Sequence, residues 1–362
     1  MPHTDGVSSL LTLPAYTTVT SQAFSTDGEY LATANDFGKI AIFKTVALID
    51  SESKKSNVLV FQFDCGACLG HTKSCVNVLK TLENYLIVAL TQPVGTPFVL
   101  AFNWKDLIQQ RAHIAWTIES TTGILPGEVN AMELDVKNEK LIIGGGLGNA
   151  TEATADFAIR TIDLETRMMT TKPFMGHKGY VHAISHSNGL SASCSEDGTA
   201  RTWDHRCPKP CAAILEPWKN DDLQRSKLGS WLGDISICGD WLVTGGGPRP
   251  ALWHLKAKSP SVIPALPDSL CSSIYVTKIV QNQQIEDRVV LAGQISGGSL
   301  YQYGLDGSLK AEVKTSSSCL YTVETTFQDS FKMLSAGGSS TTIDLCTHNL
   351  SYSDKTINFP AL

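Results

Sequence analysis

Short runs of apolar and β-branched residues recur along the whole chain, separated by clusters of glycine, asparagine, aspartate and serine. One pattern occurs seven times: an aliphatic residue, two more strand-forming residues, and a small residue. Its copies begin at Leu31, Leu86, Leu141, Leu190, Leu242, Val290 and Leu334. Successive copies are 55, 55, 49, 52, 48 and 44 residues apart. Because self-similarity at a roughly constant period marks a repeat protein, we expect seven copies of one structural unit.

A further apolar run follows most copies after a turn, and another precedes them. Residues 39–43 (KIAIF) follow the first copy, and residues 129–134 (VNAMEL) precede the third. Such runs, rich in β-branched and aromatic residues and bounded by turn residues, predict short antiparallel strands. Seven such units are expected to close into a ring, because radial closure leaves only short, protected sheet edges. The predicted fold is therefore an all-β, seven-bladed β-propeller.

The most regular unit covers residues 176–206. It begins with Gly-His, ends in Trp-Asp-His-Arg, and carries Ser-Glu-Asp-Gly-Thr between them, which is the signature of a WD40 repeat. In such a unit we expect a structural tetrad of His177, Ser193, Asp197 and Trp203. A buried tryptophan N–H needs an acceptor, and a hydroxyl can both accept and donate a hydrogen bond. The tetrad is therefore expected to stiffen its blade.

Three of these residues, Ser193, His177 and Asp197, are also the residue types of a hydrolase triad. A nucleophilic serine occupies an exposed turn such as Gly-x-Ser-x-Gly, whereas Ser193 falls inside a predicted strand. We therefore predict no catalytic residues and no enzyme activity. The glycine runs at 144–146 and 245–247 lack the Lys-Ser/Thr ending of a phosphate loop and are expected to be turns.

The segments between units predict the remaining architecture. Residues 105–114 could form one short helix, and residues 207–230 read as a long loop. Residues 350–359 (LSYSDKTINF) alternate well enough to be the outer strand of the last blade. The predicted organisation is an N-terminal tail, residues 1–15, followed by a single propeller, residues 16–362.

Composition and charge narrow the range of functions. The 362-residue chain has a formal net charge of -6, which argues against a protein that wraps nucleic acid. Its N-terminus lacks the features of a signal peptide, and no apolar run approaches the ~20 residues of a membrane span. The ten cysteines are scattered, as expected for reduced thiols in a cytosolic or nuclear protein.

One cluster, Cys65, Cys68, His71 and Cys75, has the ligand types of a zinc site. Alternatively, Gly70 and His71 simply open the second unit, as Gly-His opens the fourth. We favour this second interpretation, and predict no metal and no cofactor.

Several segments resemble the THO complex subunit 6 family of the transcription–export complex. They are residues 36–43 (DFGKIAIF), 161–166 (TIDLET), 174–182 (FMGHKGYVH), 245–248 (GGGP) with 252–255 (LWHL), and 307–313 (GSLKAEV). The resemblance runs from about Gln22 to the C-terminus. A longer second blade and an insertion at 148–154 depart from the family pattern.

The resemblance implies a nuclear, non-catalytic scaffold that acts in mRNA packaging and export. It implies contacts with other THO subunits, especially the coiled-coil subunits 5 and 7, with RNA contacted indirectly and no membrane partner.

Two alternatives remain open. Trp203 to Arg206 match the Trp-Asp-x-Arg pattern of substrate receptors for cullin-type ubiquitin ligases, with Arg206 as the adaptor contact. The other alternative is an RNA-binding propeller, although the basic residues are dispersed along the chain.

Overall fold

A computed structural model describes most of the chain. The described residues are 17–49, 58–71, 73–92, 97–119, 125–147, 156–207, 211–257, 260–262, 264, 266, 271–282, 285–295, 297–328, 332–347 and 350–360. Within them the strands form seven antiparallel sheets that are the blades of a β-propeller, which confirms the predicted fold. The predicted tail, residues 1–15, and the insertion at 148–154 lie outside the described residues.

Each blade is a meander whose strands follow one another from the centre outward. The first blade comprises β1 (Val19–Phe24), β2 (Tyr30–Asn35), β3 (Lys39–Lys44) and β4 (Leu59–Asp64). The second comprises β5 (Cys75–Leu82), β6 (Tyr85–Thr91), β7 (Pro97–Asn103) and β8 (Ile114–Glu119). The third comprises β9 (Glu128–Asp135), β10 (Lys140–Gly146) and β11 (Arg160–Asp163). The next two comprise β12 (Val181–Ser187), β13 (Leu190–Ser195), β14 (Ala200–Asp204) and β15 (Cys211–Leu215); and β16 (Leu232–Cys238), β17 (Trp241–Gly246) and β18 (Ala251–His254). The last two comprise β19 (Cys271–Asn282), β20 (Ile285–Ile295), β21 (Ser299–Gly304) and β22 (Leu309–Lys314); and β23 (Leu320–Phe327), β24 (Lys332–Gly338), β25 (Thr342–Cys346) and β26 (Lys355–Asn358).

The described helices are short and lie between strands. They are α1 (Val46–Ile49), α2 (Cys65–Cys68) and α3 (Trp104–Ile108), together with two 3-10 turns, Val136–Asn138 and Pro217–Lys219. No helix of the described residues is long and apolar enough to cross a membrane.

The ring is closed by its innermost strands, each of which contacts the innermost strand of the next blade. These seven inner strands are β1, β5, β9, β12, β16, β19 and β23, and β23 contacts β1. The sequence predicted an outer strand within residues 350–359, and β26 is that strand, paired with β25. The last blade is therefore completed by residues from its own end of the described chain.

The apolar core lies between blades. Each cluster of buried side chains draws on two successive blades. The cluster between the third and fourth blades, for example, joins Ile142 and Ile159 to Val181, Ile184 and Trp203. Burying each blade face therefore requires the neighbouring blade.

Polar side chains of the inner strands also connect adjacent blades. Backbone N–H groups of Leu79, Ile237, Ile279 and Thr277 donate to Ser21, Ser185, Ser236 and Asp234 of the preceding blade, at 2.9, 3.1, 3.1 and 2.5 Å. We call each such bond an inter-blade latch. An inner strand is an edge strand, so N–H groups on its open side need acceptors from elsewhere. The latches supply these acceptors and fix the register between blades.

The third and fifth blades have three-stranded sheets in the described residues. Where a fourth strand would pair, isolated bridges remain: Ile159 with Phe174, Ile162 with Met169, and Leu252 with Val262. The outer edges of these two blades are therefore less completely paired than the others.

The prediction of turns was wrong for residues 144–146, which end strand β10, and for Gly245 and Gly246, which end strand β17, whereas Gly247 lies in the bend that follows β17. A Cβ at Gly144 would lie 2.9 Å from Ile184 Cδ1, and one at Gly245 would lie 2.4 Å from Ile274 Cγ2. Both contacts are with the next blade. Glycine is needed here because the neighbouring blade packs directly onto the backbone.

Two predicted segments also need correction. The helix expected within 105–114 spans Trp104–Ile108, and from Ile114 the chain forms strand β8. The segment expected to be a loop over 207–230 contains strand β15, which completes the fourth blade. In both cases pairing with a neighbouring strand decided the structure, and local sequence does not report such pairing.

We expect Gly245→Ala to destabilise the protein by about 1–3 kcal/mol, because the added methyl group must displace Ile274. Chemical denaturation measures this loss as a change in the free energy of unfolding. Ala212→Val, at an exposed position of β15, is the control and should change stability by less than about 0.5 kcal/mol. Equal stability of the two variants would contradict the close packing between blades.

Candidate functional site

The structure brings His177, Ser193, Asp197 and Trp203 together in the fourth blade. His177 precedes β12, Ser193 lies on β13, Asp197 occupies the turn after β13, and Trp203 lies on β14. Trp203 Nε1 and Ser193 Oγ are 2.8 Å apart, Ser193 Oγ and His177 Nε2 are 2.8 Å apart, and His177 Nδ1 and Asp197 Oδ2 are 3.0 Å apart. The four side chains form one continuous hydrogen-bonded chain.

The direction of this chain follows from what each group can donate. Trp203 N–H can only donate, so Ser193 accepts from it and donates its own hydrogen to His177 Nε2. His177 then donates from Nδ1 to the Asp197 carboxylate. This arrangement requires a neutral imidazole. Burial lowers the pKa of His177, against the opposing effect of Asp197, and so favours the neutral form.

Asp197 also organises the turn that holds it. Its carboxylate accepts from the backbone N–H groups of Lys178 and Thr199, each at 2.8 Å, and from the Thr199 hydroxyl at 2.7 Å. Burial acts to raise the pKa of Asp197, but hydrogen bonds from His177 and Thr199 outweigh it and lower that pKa below its ordinary value. The carboxylate is therefore ionised and fully used within the blade.

The geometry does not suit catalysis. Ser193 is 0% exposed, and its oxygen already accepts the Trp203 N–H. Phe174 stacks on Trp203 with ring centroids 5.8 Å apart and covers it from the third blade. A nucleophile needs access to its substrate, and no substrate could reach this hydroxyl without unfolding the blade.

Part of the tetrad persists in the fifth blade, where Trp253 Nε1 donates to Thr244 Oγ1 at 3.0 Å. The turn that follows β17 is held by Arg225, which sequence reasoning missed. Its guanidinium donates to the carbonyl oxygens of Gly246, Gly247 and Pro248 at 3.2, 2.7 and 3.0 Å. Arg225 lies in a mixed-charge run of the sequence, where nothing distinguishes it from its neighbours.

Arg206 lies on the surface, with its side chain 72% exposed. Its guanidinium forms a forked pair with Asp204, through Nε at 2.8 Å and Nη2 at 2.9 Å. These hydrogen bonds lower the pKa of Asp204 and raise that of Arg206. Arg206 is therefore accessible, but its hydrogen-bonding fork is already engaged within the chain.

A second polar cluster beside Arg206 was also missed. Ser191 Oγ lies 2.9 Å from His186 Nδ1 and 2.6 Å from His205 Nε2. Asp135 Oδ2 lies 3.6 Å from His186 Nε2. Burial lowers the pKa of His205 to about 4, so its ring is neutral at pH 7. His186, Ser191 and His205 belong to the fourth blade and Asp135 to the third, and the WD40 signature does not include these positions.

The four zinc candidates are distributed around the start of the second blade. Cys65 is buried, Cys68 and Cys75 are half-buried, and His71 is exposed. Burial raises the pKa of Cys65 well above its ordinary value, which opposes the thiolate that zinc requires. Among the described residues no three Cys, His, Asp or Glu side chains are arranged to hold a metal ion. His71 precedes β5 by the same interval as His177 precedes β12.

Comparison with known proteins agrees with this architecture. The family model for the WD domain, G-beta repeat, matches residues 3–38 and 168–204. The THO complex subunit 6 homolog of Danio rerio is 31% identical over 94% of this chain and 97% of its own length. THO complex subunit 6 of Homo sapiens is 31% identical over 94% of this chain and 93% of its own length. The Drosophila melanogaster protein of the same name is 27% identical over 85% of this chain and 80% of its own.

We predict that Trp203→Ala costs about 3–5 kcal/mol of stability, because it removes a fully buried ring and leaves Ser193 without its donor. Trp203→Phe keeps most of the ring and should lose less, about 1 kcal/mol for the missing hydrogen bond. Denaturant unfolding of both variants measures these losses. A Trp203→Ala protein as stable as the wild type would show that the ring is not buried.

We also predict a loss of stability on acidification that depends on His177. The unfolded chain has the ordinary histidine pKa of 6.5, and burial lowers the folded value. As the pH falls below about 6.5, the unfolded state binds a proton that the folded state does not, so the free energy of unfolding decreases. Unfolding should be measured at pH 7.5 and pH 5.5 for the wild type and for His177→Asn.

The wild type should lose more stability than His177→Asn between these two pH values. Burial raises the pKa of Asp234 to about 7, and this acts in the opposite direction. Asp234 is present in both proteins, so its effect cancels in the comparison. Equal losses would mean that His177 is not held neutral by its blade.

Proposed function

This chain belongs to the THO complex subunit 6 family, and from that premise we propose that it is a non-catalytic scaffold subunit of the THO complex in the nucleus. Residues 16–362 would act as one propeller domain. Its role would be in mRNA packaging and export, carried out through protein–protein contacts with other THO subunits, while RNA is contacted by the assembly and only indirectly by this chain.

The observation that supports a scaffold most directly is a set of three exposed methionines on the third blade. Met168, Met169 and Met175 are 60%, 39% and 67% exposed, and all lie on the outer segment of this blade. Methionine is flexible and polarisable, and it is over-represented at surfaces that adapt to a partner. We call these three side chains the methionine edge.

A helical partner suits the methionine edge. The segment that carries it takes the place of a fourth strand and is joined to the rest of the blade by the isolated bridges of Phe174 and Met169. An amphipathic helix binds by laying its apolar stripe on such a surface. The coiled-coil subunits 5 and 7 of the THO complex are therefore the proposed partners, with an apolar helix face over the methionine edge.

The two alternatives have less support. A ligase adaptor would have to compete with Asp204 for the guanidinium of Arg206, since both of its forked bonds are already made. RNA binding as the main activity is opposed by the net charge of -6. One purification experiment distinguishes each of these two alternatives from the scaffold function.

Tagged protein purified from nuclei should recover the other THO subunits, and nuclease treatment should not reduce the yield. Met168→Glu with Met175→Glu should reduce recovery of subunits 5 and 7, because two charges replace the apolar contact. The matched control is Leu309→Glu, at a position 56% exposed on the sixth blade, which should leave recovery unchanged.

Other outcomes would overturn the proposal. Recovery of a ligase adaptor that is abolished by Arg206→Ala would favour the substrate-receptor function. Recovery that is lost after nuclease treatment, with binding of the isolated protein to RNA that weakens steeply with salt, would favour direct RNA binding.

A further inference from the structure

The central channel contains a small cavity that every blade helps to line. Its walls include residues from the first half of all seven inner strands, and its volume is about 200 Å³. Small-molecule sites usually occupy about 300–1,000 Å³. The cavity is therefore the size for one long side chain and too small for a cofactor.

The charges in this cavity do not balance. Lys80 pairs with Glu133 at 2.8 Å, and Lys278 pairs with Glu324. Asp234 also lines the cavity, and it makes no salt bridge with any described residue. Of these five groups only Lys80, Asp234 and Glu324 line the cavity. Lys80 and Glu324 are paired with groups beside it, so Asp234 is the carboxylate of the lining without a salt bridge, although Lys80 acts to lower its pKa.

The inter-blade latch does not explain why residue 234 is an aspartate. Its Oδ2 accepts from the backbone N–H and the hydroxyl of Thr277, at 2.5 and 3.4 Å. Serine performs the same task in the other latches, at Ser21, Ser185 and Ser236. Burying a carboxylate where a hydroxyl suffices is unfavourable, and such groups concentrate at functional sites.

Three aromatic rings from successive blades lie in a row beside this cavity, and two of them, Tyr275 and Tyr321, line it. Trp231 stacks on Tyr275 with centroids 5.6 Å apart, and Tyr275 packs against Tyr321 at 5.5 Å. All three stand at or near the starts of inner strands, so they share one end of the channel. Tyr321 is 40% exposed, and the Trp231 N–H is fixed by the carbonyl of Leu228 at 2.9 Å. The three rings therefore form an aromatic rim along one side of the channel mouth, where Tyr321 is open to solvent.

We propose that this channel mouth is a socket for one arginine side chain, presented by an extended segment of a partner protein. The aromatic rim attracts a cation through the faces of its rings, and Asp234 below it supplies the unpaired negative charge. A planar guanidinium stacks on aromatic rings and forms forked hydrogen bonds with a carboxylate, which an ammonium group cannot do as well. The overall charge of -6 is complementary to a basic segment. The proposal does not rest on membership of the THO complex.

The affinity of the socket for arginine should also depend on pH. Burial raises the pKa of Asp234 to about 7, so the carboxylate becomes protonated within the physiological range. The other charged or titratable groups that line the cavity are Lys80, Glu324, His182, Tyr275 and Tyr321, and Glu133 and Lys278 pair with the first two. Burial lowers the pKa of His182, which keeps this ring neutral. Affinity for arginine should therefore fall about tenfold for each pH unit below about 7.

The test is a titration of the full chain with N-acetyl-arginine methylamide, using its neutral isostere N-acetyl-citrulline methylamide as the matched probe. The readout is the indole N–H resonance of Trp231 in an NMR spectrum, assigned from its absence in Trp231→Phe. Arginine should shift this resonance in a saturable way, and citrulline should bind at least about tenfold more weakly, as expected for the loss of one charge-assisted hydrogen bond.

Two substitutions separate binding from folding. Asp234→Asn retains an acceptor for the Thr277 latch, so it should melt like the wild type while losing about tenfold or more in arginine affinity and its pH dependence. Asp240→Asn, on an exposed turn at the other end of the same strand pair, should change nothing. Equal binding of citrulline, a lysine probe that binds as tightly as arginine, undiminished binding by folded Asp234→Asn, or no shift at saturating probe would each overturn the proposal.

Discussion

The packing of one blade against the next is the constraint on which the rest of this structure depends. No blade has an apolar core of its own, because the buried clusters lie between successive blades. The cluster that joins Phe24 and Phe43 to Met333 and Ile343 closes the ring between the seventh blade and the first. A sheet with two apolar faces is stable only when both are covered, so seven blades stabilise each other as a set.

This dependence explains why the most regular blade carries the tetrad. The cluster between the third and fourth blades packs Ile184 over the bare backbone of Gly144, and Trp203 is its largest side chain. The indole ring of Trp203 must be held in one orientation to pack there, and the hydrogen-bonded side chains from Trp203 to Asp197 provide that restraint. The polar residues of this blade are therefore used for packing, which leaves the rims, edges and channel for recognition.

Local sequence predicted most of the strands and the members of the tetrad, because both follow from spacing within one repeat. It could not predict the channel site. Trp231 and Asp234 belong to the fifth blade, Tyr275 to the sixth and Tyr321 to the seventh, and only the packing of these blades brings the side chains together. Arg225 was hidden for a different reason, because its three carbonyl partners lie at and just after the end of β17, and nothing in the local sequence links them to it. Gly144 and Gly245 were misassigned to turns because the neighbour that requires each of them lies in the next blade.

The completion of the last blade by β26 has a consequence for the covalent order of the chain. Each sheet of the described residues is built from consecutive strands, and no strand within residues 17–360 is exchanged between the seventh and first blades. The boundary between these two blades contains an apolar cluster like the others, and a hydrogen bond from the Gln22 side chain to the carbonyl of Thr322. A circularly permuted form of the described propeller, opened at another inter-blade connection, would therefore contain the same contacts between strands.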